Sequence, residues 1–139
     1  MKKTLIKTLL CGFLLLFVSC DLIPIGGVAQ KIDLGYPKTV TFPCEGGEMV
    51  LNGDSFNNVD IVSNKDFQIK YWGYNEADST EYYVSDWLKV EYKASYLSPM
   101  INEMKIIVEP NTTAKSRKLY LHVNSFPDYQ EITVKQERK

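Results

Sequence analysis

From residue 38 onward the apolar side chains recur at every second position, in short runs broken by turn residues. Thr39-Val40-Thr41-Phe42 alternates with period two, Gly46-Gly47 turns the chain, and residues 48–51 form a second short strand. Asn52-Gly53 carries the signature of a hairpin turn. Val59-Asp60-Ile61-Val62 and Phe67-Gln68-Ile69-Lys70-Tyr71 read as further strands, the polar stretch 73–81 as a loop, and 82–84 as a short strand. Over 87–92 the pattern places Leu88, Val90 and Tyr92 on one face and Trp87, Lys89 and Glu91 on the other. Residues 104–108, 118–123 and 132–136 complete the series. No window after residue 37 repeats its apolar positions at three and four, so no long helix is expected. Seven to nine short strands at this spacing predict an all-β fold, an antiparallel β-sandwich or barrel.

The first twenty residues follow a different pattern. Lys2, Lys3 and Lys7 precede an apolar stretch over residues 9–18, which ends at Ser19-Cys20. A basic segment followed by a short apolar one is the pattern of a secretory signal. The apolar stretch is too short for a helix across a ~30 Å hydrocarbon core. Phe17-Val18-Ser19-Cys20 resembles a lipobox, with Phe17 where a leucine is usual. Residues 1–19 are therefore expected to be a cleaved lipoprotein signal peptide, and Cys20 the lipidated (diacylglycerol- and palmitate-bearing) first residue of the mature chain. Two or three acyl chains, at ~0.8 kcal/mol per buried methylene, hold a protein to a membrane almost permanently. Residues 20–37, with Pro24, Gly26, Gly27, Gly35 and Pro37, are expected to be the lipidated N-terminus and a flexible linker, and 38–139 the folded domain. A lone acid, Asp21, follows the cysteine, where surface-export signals are richer in acid, so either face of the outer membrane is open.

Charge and cysteine content narrow the function. Without residues 1–19, thirteen basic side chains face seventeen acidic ones, a net charge near −4 that argues against a nucleic-acid partner. Of the three cysteines, Cys11 leaves with the signal and Cys20 carries lipid. Cys44 then has no partner for an intrachain disulfide and is expected to be a small buried residue.

The second half of the chain resembles a known family. Trp87-Leu88-Lys89-Val90, the run from Met104 to Val108, Asn111, Arg117 and the final Ile132-Thr133-Val134-Lys135-Gln136 are similar to the BACON domain, a Bacteroidetes-associated carbohydrate-binding domain that is often N-terminal. Thr41-Phe42-Pro43 and Glu45-Gly46-Gly47-Glu48 resemble the same family's opening strand and turn. The resemblance implies an immunoglobulin-like β-sandwich and structural roles for Gly46, Gly47, Trp87, Asn111, Arg117 and Gln136. The family's carbohydrate role rests largely on the enzymes it accompanies. Here the chain stops three residues after Gln136, so the module is expected to act alone or with a separate partner.

The residues that could carry chemistry are few. His122, the sole histidine, lies between Leu121 and Val123 and should face away from the surface they cover. Zinc lacks ligands. Glu76, Asp78 and Glu81 cluster in one segment, where a solvated loop explains them more simply than a glycosidase pair. Asn52, Asp54, Asn57, Asn58 and Asp60 offer oxygen ligands for calcium without the spacing of a known calcium loop. Asp78-Ser79-Thr80 resembles a short O-glycosylation motif. Trp72, Tyr74, Tyr82 and Tyr83, with Asn75 and Glu81 beside them, are the candidate ligand-binding group, since flat rings stack on sugar faces. The alternative is that Trp72 and half of these tyrosines belong to the core. The expectation is thus a non-enzymatic cell-envelope lipoprotein without cofactor or metal, binding carbohydrate or a partner protein, or else a structural spacer with no ligand of its own.

Overall fold

The computed structural model describes residues 28–63, 66–94 and 101–139. The signal peptide, Cys20 and the linker up to residue 27 lie outside the described residues. Ten strands are present among the described residues: β1 Thr39–Phe42, β2 Gly47–Phe56, β3 Asn58–Ser63, β4 Asp66–Phe67, β5 Tyr71–Asn75, β6 Thr80–Val84, β7 Leu88–Lys93, β8 Ile101–Val108, β9 Arg117–Ser125 and β10 Asp128–Gln136. They form two five-stranded sheets, in the orders β1-β10-β9-β3-β4 and β2-β8-β7-β6-β5. The pairings are antiparallel except for β1 on β10, which is parallel. This is an all-β sandwich, with no helix among the described residues.

The period-two pattern explains the core. Val59 and Ile61 of β3, Leu119, Leu121 and Val123 of β9, and Ile132 and Val134 of β10 point inward from one sheet. Leu88, Val90 and Tyr92 of β7 and Met104, Ile106 and Val108 of β8 meet them from the other. Burying such side chains is worth roughly 1.5–3 kcal/mol each, and with no disulfide among the described residues it carries the fold.

Three local expectations are corrected. Asn52-Gly53 is not a hairpin turn; both residues lie inside β2, whose pairing with β8 is irregular between Asn52 and Phe56. The glycine is needed for close approach, because a Cβ at Gly53 would lie 2.6 Å from both the Leu34 carbonyl oxygen and the Tyr36 ring. The stretch 73–81 is not a loop but most of a hairpin, β5 and β6, closed by Glu76-Ala77-Asp78-Ser79. Its polarity reflects an edge position, and Asn75 and Asp78 side chains accept bonds from the Ala77 and Thr80 amides to shape the turn. The expected strand 67–71 is interrupted, because the chain crosses from one sheet to the other between β4 and β5.

The linker boundary also moves. Leu34 and Tyr36 are 6% and 3% exposed and belong to the core cluster. Buried Gln130 clamps this segment: its Oε1 accepts from Leu34 N (2.7 Å) and Tyr36 N (3.3 Å), and its Nε2 donates to Tyr36 O (2.7 Å). Lys31 pairs with Glu131 at 2.8 Å, and Ile32 N donates to Tyr129 O at 2.9 Å. The folded unit thus begins near residue 30, not 38. Proline and glycine at 35–37 shape a docked segment instead of a free one.

Candidate functional site

The six residues of the family pattern converge at one end of the sandwich, where β10 finishes. Gly46 sits at φ +79° in the β1–β2 turn, and a Cβ there would lie 2.2 Å from the Val108 carbonyl oxygen. Gly47, also at positive φ (+140°), opens β2. The Gln136 amide is fully buried and donates to Pro43 O (3.1 Å), Cys44 O (3.3 Å) and Glu109 O (2.9 Å). Its Oε1 accepts from Arg117 Nε at 2.8 Å. Arg117 Nη2 reaches the carbonyls of Glu109 (3.0 Å) and Pro110 (3.3 Å), and its guanidinium lies 4.7 Å above the Trp87 ring. Asn111, 2% exposed, donates to Lys115 O and Glu137 O while its own oxygen accepts from Thr113. These contacts close a clasp between the β1–β2 turn, the β8–β9 connection and the end of β10. The Gln136 and Asn111 side chains and Arg117 Nε and Nη2 are spent on backbone carbonyls or on another member, which is a fold-keeping arrangement.

Cys44 belongs to this turn and is half-exposed instead of buried. Its Sγ donates to Glu45 Oε1 at 3.1 Å, and that bond to a carboxylate holds the thiol above its ordinary pKa, in the unreactive protonated form.

The aromatic candidates divide between the two faces of the β2–β8–β7–β6–β5 sheet, since directly paired residues share a face. Trp72 pairs with Tyr83, which pairs with fully buried Val90; Tyr74 pairs with Glu81, which pairs with buried Tyr92. Trp72, Tyr74 and Tyr83 therefore lie on the inner face. Tyr83 packs on the core and stacks on Tyr92 at 6.1 Å. Its hydroxyl donates to Glu81 Oε1 at 2.5 Å, and burial followed by that carboxylate pushes its pKa up to about 12. Trp72 remains 67% exposed because β5 is an edge strand and the facing sheet thins there to the two residues of β4. Tyr82 occupies the outer face, so the four rings do not form one platform.

The outer face of this sheet is the more developed surface. Cross-strand rows place Tyr71, Val84, Lys89, Ile107 and Glu48 in one line, and Gly73, Tyr82, Glu91, Lys105 and Val50 in the next. Tyr82 lies over Gly73, where a Cβ would come 2.3 Å from its hydroxyl, so the edge glycine is covered by its cross-strand neighbour. Lys89 Nζ caps the same ring at 5.0 Å from its centroid. This pair stands between two concavities. The larger, about 740 Å³, runs toward Asn75, Asp78 and Asn102; the smaller, about 450 Å³, runs toward Tyr71 and Glu109.

Charge in the larger hollow is matched. Lys89 meets Glu91 at 2.7 Å, and Lys105 bridges Glu91 (3.2 Å) and Glu48 (3.1 Å). Lys93 binds Asp78 and Thr80. Burial opposes ionisation of Glu91, but the Lys89 and Lys105 ammonium groups outweigh it and hold its carboxyl below the usual range. At the other sheet, the Lys31 bond does the same for Glu131. A carboxylate whose pKa is depressed on folding stabilises above its unfolded value and loses that contribution as pH falls. Thermal stability is therefore expected to stay level from neutral pH to ~5 and to decline below ~4.3, the ordinary glutamate pKa. Melting scans across pH would show a shallower acid decline for Glu131→Gln than for the wild type.

His122 faces outward from β9, 3.3 Å from Glu131 and against the Tyr129 ring at 4.5 Å. Of the calcium candidates, Asn58 and Asp60 accept from Asn124 Nδ2 at 2.6 and 2.9 Å. Among the described residues, no group of three His, Cys, Asp or Glu side chains is placed to hold a metal ion. The matched outer face was missed in the sequence. Alternation in 87–92 marked Lys89 and Glu91 as facing away from the core, but Glu48 and Lys105 join them only through strand register.

No family model matches the chain, and no curated protein is similar to it. Among solved structures it is similar to an NMR structure of a protein from Bacteroides thetaiotaomicron, at 16% identity and a TM-score of 0.46, covering 87% of this chain and 98% of that one.

Proposed function

We propose that this chain is a non-enzymatic lipoprotein of the bacterial outer membrane, anchored through Cys20, that binds a neutral glycan on the outer face of the β2–β8–β7–β6–β5 sheet. The observation that carries the reading is the paired charge of that face: at its larger hollow Lys89 and Lys105 meet Glu91, Lys105 also meets Glu48, and Lys93 meets Asp78. An ionic ligand would have to break these pairs, whereas sugar hydroxyls can accept from the ammonium groups and donate to the carboxylates without doing so. Tyr71, 57% exposed in the smaller hollow beyond Tyr82 and Lys89 on the same face, offers a ring for the apolar side of a pyranose.

A glycan array followed by titration calorimetry tests this. Tyr71→Ala is expected to weaken binding roughly 2–10-fold, the range of one aromatic contact. Trp72→Ala, on the opposite face, should leave affinity unchanged. Equal losses for both variants would move the site to the sheet edge. Absence of binding to any glycan in the array would sink the carbohydrate reading. The second reading, a spacer with no ligand of its own, is favoured by the withdrawal of Tyr83 into the core and would then stand. Anchoring is tested separately: labelled palmitate should enter the wild-type chain and not Cys20→Ala.

A further inference from the structure

We infer that the end of the sandwich at which the N-terminal segment joins it rests on the lipid surface, with Phe126 inserted at headgroup level. The inference rests on the lipoprotein reading and adds an orientation to it. Phe126-Pro127 is the two-residue tip between β9 and β10, and Phe126 is 87% exposed, the most exposed large apolar side chain among the described residues. The N-terminal segment joins the domain beside this tip: Gln30 N donates to Asp128 Oδ1 at 3.0 Å, and Tyr129 N donates to Gln30 O at 3.0 Å. Val28, two residues before, is 85% exposed. Eight residue steps separate Cys20 from Val28, a reach of at most ~26–29 Å, so the acylated cysteine holds this end within that distance of the bilayer.

The tip is built to be presented. Phe126 N donates to Asn57 Oδ1 at 2.9 Å, and Asn57 N donates to Asn124 O at 2.6 Å, which braces it against the β2–β3 turn. Its neighbours Asn57, Asn58, Asn124 and Ser125 are polar but uncharged; the nearby carboxylates of Asp128 and Asp60 accept from Gln30 N and Asn124 Nδ2. An exposed aromatic ring beside uncharged amides suits the headgroup layer, where aromatic side chains collect. Exposed Glu76 lies at the same end on the other sheet, and its charge favours a tilt that brings the β9–β10 tip down and lifts the hairpin turn.

The test uses the full acylated chain in vesicles of phosphatidylethanolamine and phosphatidylglycerol with brominated acyl chains. Phe126→Trp and Ala114→Trp, the latter exposed at the clasp end, each add one emitter to the wild-type signal. Several-fold stronger quenching of the added emission at 126 than at 114, persisting at high salt, is expected. Equal quenching at the two positions, on protein whose Cys20 acylation is verified by mass spectrometry, overturns the orientation alone. An unacylated Cys20 overturns the lipoprotein reading and the orientation with it.

Discussion

Gln136→Leu is expected to lower the unfolding free energy by about 3–5 kcal/mol, read as a shift of the urea midpoint with unchanged slope. Leucine fills similar space but leaves Arg117 Nε without its partner and takes one donor from each of the Pro43, Cys44 and Glu109 carbonyls, which keep a second donor in Gly46 N, Asn111 N and Arg117 Nη2. The bond to the charged guanidinium is worth about 1.5–3 kcal/mol and each bond to a carbonyl about 0.5–1.5 kcal/mol. Partial relaxation, with water reaching the half-exposed Arg117, keeps the total below the simple sum. In a domain of this size each kcal/mol moves the melting temperature by ~4–8 °C, so a fall of ~15 °C or more is expected. Lys135→Ala, one residue earlier and facing solvent, should change stability by less than ~0.5 kcal/mol. A Gln136→Leu protein that unfolds within ~1 kcal/mol of the wild type would show that the clasp carries little of the fold.

Tyr36→Ala is expected to cost about 3–5 kcal/mol, the usual range for removing a large buried ring. The ring contacts Phe56 edge-on at 6.1 Å, and its hydroxyl donates to Asp54 O at 3.0 Å. Burial, then the Asp54 charge, pushes that hydroxyl's pKa up to about 12, so it remains a donor through the physiological range. Tyr36→Phe keeps the ring and loses only the bond, and should cost about 1 kcal/mol. If residues 31–37 were a free linker, both substitutions would fall within ~0.5 kcal/mol of wild type. Chemical denaturation of the two variants separates the cases.

These two positions also show what could be read from the sequence and what could not. Alternation at Leu88-Val90-Tyr92 and Leu119-Leu121-Val123 is enough to predict an all-β sandwich or barrel, because a period of two has one physical meaning when one face is buried; strand register decides for the sandwich. Gln136, Arg117 and Asn111 were picked out by resemblance, and their partners turned out to be carbonyls far along the chain, which no local pattern encodes. Tyr36 was hidden among glycine and proline, where turn residues suggested a tether; the residue that captures it, Gln130, is polar and sits on β10. Asn52-Gly53 misled for a related reason, since glycine serves tight turns and close backbone approach equally well. Among the aromatic residues, Tyr82 and Tyr83 are consecutive on β6 and must face opposite ways, so the four rings could not share one face; that Trp72 and Tyr74 lie on the face of Tyr83 follows from the register of β5 on β6, which no local pattern encodes.

The parallel seating of the N-terminal segment along β10 has a mechanical consequence. The segment joins at Gln30 and runs toward the clasp, side by side with β10 from Tyr129 to Gln136. On the proposed reading of a domain anchored through Cys20, a pull on the N-terminal segment acts along the strand axis and not across it. The bonds between Thr39–Phe42 and β10 then lie crosswise to the load and must slip together, where a peeling force would open them one at a time. The Gln130 clamp and the Lys31–Glu131 pair come first under tension and shield the bonds behind them. The N-terminal segment thus meets the domain in the direction in which the β1–β10 edge resists tearing best.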